Sequence, residues 1–296
     1  MNKLKADNSK AVSILILAVL SVIWGSSFIL IKKGLDSFEP GQVGTIRIIF
    51  ACLVLLPIAI KYLKIEFIKN WKKILSLGLI ANLIPAVLYA VAETKIRSSL
   101  AGMLNSLTPI FTVLAGTLLF RTTIKSAQFI GIIVGFAGTI TLGFIGSDGG
   151  FGAFNYFALF IIIATICYGI SSNMVKTYFS RLNSVILTAL TMFSIGPIAV
   201  IYLFSTDFIG RMSTVDGAWL SLGYLFLLGA VGTAFALILF NKLIQATSAV
   251  FASTVTYLIP ITAVIWGILD GEELFVLHYI GMLLIILGVF IINRFR

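Results

Sequence analysis

The residues that could do chemistry are few and widely spaced. Arg47 stands inside an apolar run, Glu93 closes another, and Trp24, Asn82, Tyr89, Asn105, Tyr168, Thr256, Tyr257 and Trp266 lie among aliphatic side chains. A guanidinium so placed needs an acid, backbone carbonyls or water. Tyr and Trp combine a ring with one polar tip, which suits an apolar cavity that orients a small amphipathic solute. This is equipment for binding and not for breaking bonds: there is no glycine-rich phosphate loop, no His and Cys cluster at metal spacing, and no Ser and His paired at matching depth. Cys52 and Cys167 sit in apolar runs and read as small buried hydrophobes. The expectation is no enzyme activity, no metal and no cofactor.

The elements that position these residues follow from composition. Of 296 residues 59% are hydrophobic and 11% charged, with a mean hydropathy of +1.11, whereas a soluble chain is roughly 25% charged. Too few polar side chains exist to cover such a core in water, so the chain reads as an all-α membrane protein. A crossing helix needs about 20 apolar residues, and ten segments qualify: 12–31, 41–60, 74–92, 98–120, 127–145, 154–175, 185–204, 218–241, 248–269 and 276–292. They are continuously apolar and do not alternate, which excludes a transmembrane barrel. The first, preceded by Lys3, Lys5 and Lys10, reads as an uncleaved helix. The net charge of +10 comes from short basic clusters between apolar runs, which argues against nucleic acid.

Charge asymmetry sets the expected orientation. With the N-terminus inside, 15 Lys and Arg fall on the cytoplasmic side, Lys125 and Arg296 among them, and five outside: Lys32, Lys33, Lys95, Arg97 and Arg211. Both termini are therefore expected in the cytoplasm. No connection exceeds about a dozen residues, leaving no room for a separate soluble domain.

The chain also repeats itself. Shifting it by 151 lays residues 77–118 over 228–269 with ten of 42 positions identical, including Pro109 on Pro260, Gly116 on Gly267 and Gly78 on Gly229. Nearby offsets pair Trp24-Gly25 and Lys32 with Tyr168-Gly169 and Lys176, and Gly131 and Gly138 with Gly281 and Gly288. Each half, 1–146 and 147–296, has five spans. An odd number turns the second copy upside down, so the expectation is two inverted five-helix repeats around a midplane cavity, the architecture of alternating-access carriers.

Asn105-Ser-Leu-Thr-Pro109, the run Pro260 to Glu272, the first-span Ile23-Trp-Gly-Ser-Ser27 and the Gly131 and Gly281 helices resemble the two EamA units of the drug/metabolite transporter superfamily. The resemblance covers nearly the whole chain. It implies a multi-pass permease of a bacterial inner membrane that moves amino acids, related metabolites or xenobiotics, usually outward, as a monomer or weak homo-oligomer. A nucleotide-sugar or lipid carrier of the same architecture and a channel-like facilitator are the alternatives. The family often closes the fourth span of each half with Glu; Glu272 is present, but Arg121 stands at the matching place.

Within that frame Arg47 lies about 10 Å deep, at 1.5 Å per residue, on the same side as Glu93. Two readings stand: an Arg47–Glu93 outer gate, or a structural tie in which Arg47 snorkels or bonds carbonyls. Gly102, Asn105, Pro109 and Gly116 share one helix face and map onto Ser253, Thr256, Pro260 and Gly267. The glycines and prolines suit kinking and close packing, while Asn105 and Thr256 suit the cavity. Trp24, Asn82, Tyr89, Tyr168 and Tyr257 are the other cavity candidates. Span one has no acid, and the remaining acids lie at span ends, which disfavours proton coupling through a midplane carboxylate.

Overall fold

The structure is a computed structural model that describes residues 2–123, 126–145 and 149–294. Lys125, Arg296 and the boundary at 146–147 lie outside the described residues, as do the side chains of Lys3, Lys5 and Lys10. Apart from one isolated bridge, Ile145 to Phe151, the ordered elements are helical. They are α1 Asn2–Leu35, α2 Pro40–Tyr62, α3 Ile68–Gly78, α4 Ile84–Glu93, α5 Ser98–Leu104, α6 Thr108–Phe120, α7 Ser126–Gly143, α8 Ala158–Tyr178, α9 Ser184–Phe204, α10 Phe208–Thr214, α11 Ala218–Leu227, α12 Ala236–Ala246, α13 Ala249–Ser253, α14 Ile259–Leu269 and α15 Val276–Arg294. With no backbone polar group left over inside a helix, this is the arrangement a lipid solvent allows.

Seven stretches are long and apolar enough to cross a membrane, and two more apolar helices, Phe129–Gly143 and Val276–Ile291, are shorter. Their outer faces are apolar too: Leu118, Trp219, Ile201 and Leu269 are more than 70% exposed. So much exposed hydrophobic surface marks a protein whose surroundings are lipid.

The chain departs from the expected layout in four places. The connection expected between 60 and 74 is helical, so the path from Pro40 to Glu93 is unbroken. It nevertheless folds back at the π-turn Leu63–Phe67, bringing α4 against α2 so closely that a side chain at Gly44 would meet Val87 at 2.9 Å. The expected spans 98–120 and 248–269 are each broken by a 3-10 turn, at Asn105–Leu107 and Thr254–Tyr257, just ahead of Pro109 and Pro260. Proline lacks the N–H that would continue the helix and sits well in a first turn. The short helix α10 stands where the sequence reads as a loop.

Packing partners match between halves. α1 lies against α14 as α8 lies against α6, α1 lies along α11 and α12 as α8 lies along α4, and the remaining pairs are α2 with α9 and α7 with α15. The last pair is held by absence of side chains. A Cβ at Gly138 would lie 2.5 Å from the Gly281 oxygen, and one at Gly288 would strike the Gly131 oxygen. Only glycine permits this backbone approach.

The bundle has two distinct ends. One is a basic face, where the Lys73 ammonium lies 5.0 Å from the Tyr178 ring and Lys176 donates to the carbonyls of Ile244, Gln245 and Thr247 at 3.3, 3.1 and 2.7 Å. Those are the carbonyls left unpaired where α12 ends, and a cation is favourable there. The opposite face gathers Lys32, Lys33, Ser98, Asp270 and Glu272.

Candidate functional site

Between the halves lies a cavity of about 1050 Å³, counting the open space at its mouth. Its deepest members toward the opposite face are Ile31, Arg47, Tyr89 and Asn105; toward the basic face it reaches Val175, Thr188, Asn241 and Ile244. Two helical irregularities form its middle. The π-turns Leu79–Leu83 and Leu228–Phe235 carry Asn82 and Thr233, which correspond at the offset of 151 and both line the cavity. A π-turn frees backbone carbonyls, and such turns are frequent at functional sites. Here the freed groups are used. Thr233 Oγ1 donates to the Leu228 oxygen at 3.0 Å, and Trp24 Nε1 donates to the Gly232 oxygen at 3.0 Å.

Of the sequence-predicted cavity residues, Trp24, Asn82, Tyr89, Asn105, Tyr168 and Thr256 come together on this wall. Tyr89 and Tyr168 stack with ring centroids 6.0 Å apart, and the Tyr89 hydroxyl donates to Asn105 Oδ1 at 2.6 Å. Removing it in Tyr89→Phe leaves the buried Asn105 oxygen short of a donor, which is expected to lower stability by about 1–3 kcal/mol. Unfolding of the detergent-solubilised protein would show this, and in a double-mutant cycle with Asn105→Ala the two losses should not add.

Tyr257 is a correction. It ends the 3-10 turn of the ninth segment, and its hydroxyl donates to the Val289 oxygen on α15 at 3.2 Å, away from the cavity. Tyr257 directly follows Thr256, and consecutive helical residues point about 100–120° apart, so it leaves the face that Thr256 occupies. The lining also contains Ser27, Ser171 and Ser172, serines the sequence favours as helix-packing or backbone-bonding residues, and Thr188, Thr191, Thr233 and Asn241, which it does not single out. Repeat equivalence to Asn82 could have found Thr233.

The Arg47–Glu93 pair is corrected as well. Among the described residues the ion pairs are Lys32 with Asp270 and Glu272, Lys33 with Asp270, and Arg211 with Glu39. Arg47 Nε instead donates to Thr233 Oγ1 at 3.2 Å across the interface of the halves. Glu93 is buried with neither carboxylate oxygen accepting a hydrogen bond. Sharing one end of the membrane does not make the two side chains meet.

The closing contacts of the opposite face centre on Glu272, whose side chain is 3% exposed. It accepts from Ser98 N and Oγ at 2.9 and 2.8 Å, from Ser99 N and Oγ at 3.1 and 2.5 Å, and from Lys32 Nζ at 3.0 Å. Arg97, the residue before α5, makes no side-chain cap, so Glu272 supplies that cap from across the bundle. Lys32 and Lys33 also hold Asp270 at 2.7 and 2.6 Å, and Arg97 Nη1 donates to the Glu273 carbonyl. Gly267 makes room, since a Cβ there would strike Glu272 Oε2 at 2.7 Å; likewise Gly102 admits Ala263 of α14. In the first half Arg121, at a φ of 57°, closes α6, and Thr122 rather than Arg121 lies against Gly116.

Burial works against the Glu272 carboxylate, but the Ser99 hydroxyl, Lys32, and the Ser99 and Ser98 donors outweigh it and hold its pKa below the ordinary value. Hydrogen bonds from Lys32 and Lys33 likewise lower Asp270. A carboxylate that titrates lower folded than unfolded stabilises fully above its unfolded value, about 4.3 for Glu. That stability is lost as pH falls through the folded value. Unfolding midpoints should therefore drop below about pH 4.3, and Glu272→Gln should flatten the drop.

Known proteins resemble this chain over nearly its whole length. The model of the EamA-like transporter family matches residues 11–144 and again 155–294. This chain belongs to the EamA-like transporter family. The EamA-like chain is 26% identical over 288 residues to an uncharacterized transporter of Archaeoglobus fulgidus, covering 95% of this chain and 99% of the relative. It is 27% identical over 286 residues to the uncharacterized inner membrane transporter YedA of Escherichia coli K12, covering 94% and 89%. A solved crystal structure superposes with a TM-score of 0.63 at 15% identity, covering 96% and 98%, a likeness of fold. The EamA-like protein is thus a multi-pass membrane protein of a transporter family.

Proposed function

We propose that this EamA-like protein is an inner-membrane carrier that moves small organic solutes, of the amino-acid, metabolite or xenobiotic kind and in the outward direction, by alternating access. The observation that carries the reading is one cavity between the halves that reaches toward the basic face and is sealed at the other by the Glu272 cluster. Splitting Pro40–Glu93 at its turn and adding the two shorter apolar helices makes ten crossings. The positive-inside rule puts the basic face in the cytoplasm, so this is the state closed to the outside. Five crossings per half and the matched packing pairs support two inverted repeats rocking about the cavity.

A nucleotide sugar would bring two phosphates, whereas among the described residues the cavity wall has one cation, Arg47. The isolated polar groups support a binding site more than a continuous pore. The test is flux of labelled solutes into proteoliposomes holding only this protein, with and without a pH gradient. Saturable flux with trans-stimulation is expected. Non-saturating flux would make it a channel, and absence of flux for every solute class would end the carrier reading.

A further inference from the structure

Arg47 is the only charged side chain among the described residues that line the cavity. Its anchoring is one-sided. Nε donates to Thr233 Oγ1 at 3.2 Å, and Thr233 is itself fixed by its bond to the Leu228 oxygen. No carboxylate lies within ion-pair distance, and Nη1 and Nη2 find no acceptor among the described residues. Holding Nε fixes the guanidinium plane and leaves its end-on edge, two parallel N–H donors, for a ligand. That edge matches a carboxylate bidentately.

The neighbours are committed in a way that defines the rest of the ligand. The Trp24 indole N–H is spent on Gly232 and the Tyr89 hydroxyl on Asn105. What they offer the cavity is ring surface, together with Phe28, which lies 5.7 Å from Tyr89, and Phe240, which lies 4.9 Å from Trp24. An unpaired guanidinium away from bulk water is costly until an anion joins it. No acidic side chain among the described residues lines the wall to receive an ammonium, and Glu93 is not part of it.

We infer that Arg47 is the anchor for the carboxylate of an organic anion whose apolar or aromatic body lies along Trp24, Tyr89 and Tyr168, and that the cavity prefers such monocarboxylates to zwitterions and cations. This rests on the carrier reading and narrows it: the substrate class is set by one fork-shaped cation on an otherwise neutral wall.

The experiment measures binding, so that it is independent of transport. Purified full-length protein in nanodiscs is titrated calorimetrically with four probes of one ring size: phenylacetate, phenylalanine, phenylacetamide and phenethylamine. Phenylacetate should bind at least tenfold more tightly than each of the others. Arg47→Gln should erase the preference for phenylacetate over phenylacetamide. Thr233→Val, which frees Nε without removing the charge, should weaken phenylacetate severalfold. Tightest binding of phenethylamine or phenylalanine, no binding of phenylacetate, or unchanged phenylacetate affinity in Arg47→Gln would each overturn the assignment. Because the wild-type series decides by itself, a variant that fails to fold does not rescue the idea. If proteoliposomes carry none of the probes while phenylacetate binds selectively, the carrier reading fails and the anion site stands. Flux of amines without selective phenylacetate binding would do the opposite, leaving a carrier and ending the anion site.

Discussion

Glu272→Ala is expected to unseat the opposite face of the bundle. The carboxylate ends with five donors from three separate residues, Lys32 on α1 and Ser98 and Ser99 at the start of α5. Its loss leaves the α5 amides uncapped and Lys32 with Asp270 alone. Lys32 is a third exposed and keeps Asp270, so no buried charge is stranded, and the loss is expected to cost about 1–3 kcal/mol, of which the α5 cap accounts for about 1. With the orientation proposed above the same contacts close the outward side, so the loss has a second readout. Ile31, 2% exposed at the Glu272 end of the cavity, can be made cysteine after Cys52 and Cys167 are replaced by Ala. In whole cells a membrane-impermeant maleimide should label Ile31→Cys at least severalfold faster when Glu272→Ala is added. Glu272→Gln should fall between, since an amide keeps one acceptor oxygen and loses the charge. Equal unfolding midpoints and equal labelling would show that Glu272 neither stabilises nor seals this face.

The second large effect is expected from filling the cavity. Ser172 lines it, is 1% exposed, and its hydroxyl is buried without a hydrogen-bond partner. Replacing it therefore breaks no bond, and Ser172→Phe should direct a ring into the space a solute would use. Flux through proteoliposomes should fall to a tenth or less, equivalent to at least about 1.4 kcal/mol, while unfolding should show only the cost of about 1–3 kcal/mol for overpacking a site that is 1% exposed. Undiminished flux would place the solute path elsewhere in the bundle.

The two ends of the bundle are built from equivalent lysines put to different uses. Lys32 and Lys176 correspond at an offset of 144. Lys32 meets two carboxylates, whereas Lys176 meets three backbone carbonyls at the end of α12. Position 119, the match of Asp270, is Leu, so the first half has no counterpart of that acid. Both lysines make charge-assisted hydrogen bonds, but Lys32 reaches carboxylates of the other half, whereas Lys176 and its three carbonyls belong to one half.

Much of the cavity wall is legible in the sequence because a polar or amphipathic residue deep in an apolar helix has few places to go. Trp24, Asn82, Tyr89, Asn105, Tyr168 and Thr256 obey that constraint. Thr188 and Thr191 give no such signal because helical threonines commonly bond the preceding turn, as both do here to Ser184 and Leu187. Tyr257 breaks the pattern because it neighbours Thr256 and so points about 100–120° away from it, toward α15, and hydropathy does not report which of two adjacent polar-tipped residues takes the cavity face.

Membrane class, apolar segments, internal repeat and family can all be read from the chain before it folds, since each depends on composition, run length or order of residues. The pairing of side chains cannot. Arg47 turns to Thr233 and the cavity, Glu93 is buried by itself, and Glu272 joins Ser98, Ser99 and Lys32. Distance along the chain explains the division: Lys32 and Glu272 are 240 residues apart and Arg47 and Thr233 are 186 apart. Which donor meets which acceptor over such separations depends on the angle at which helices cross and the depth to which glycine lets them approach, and these are set by the packed bundle as a whole.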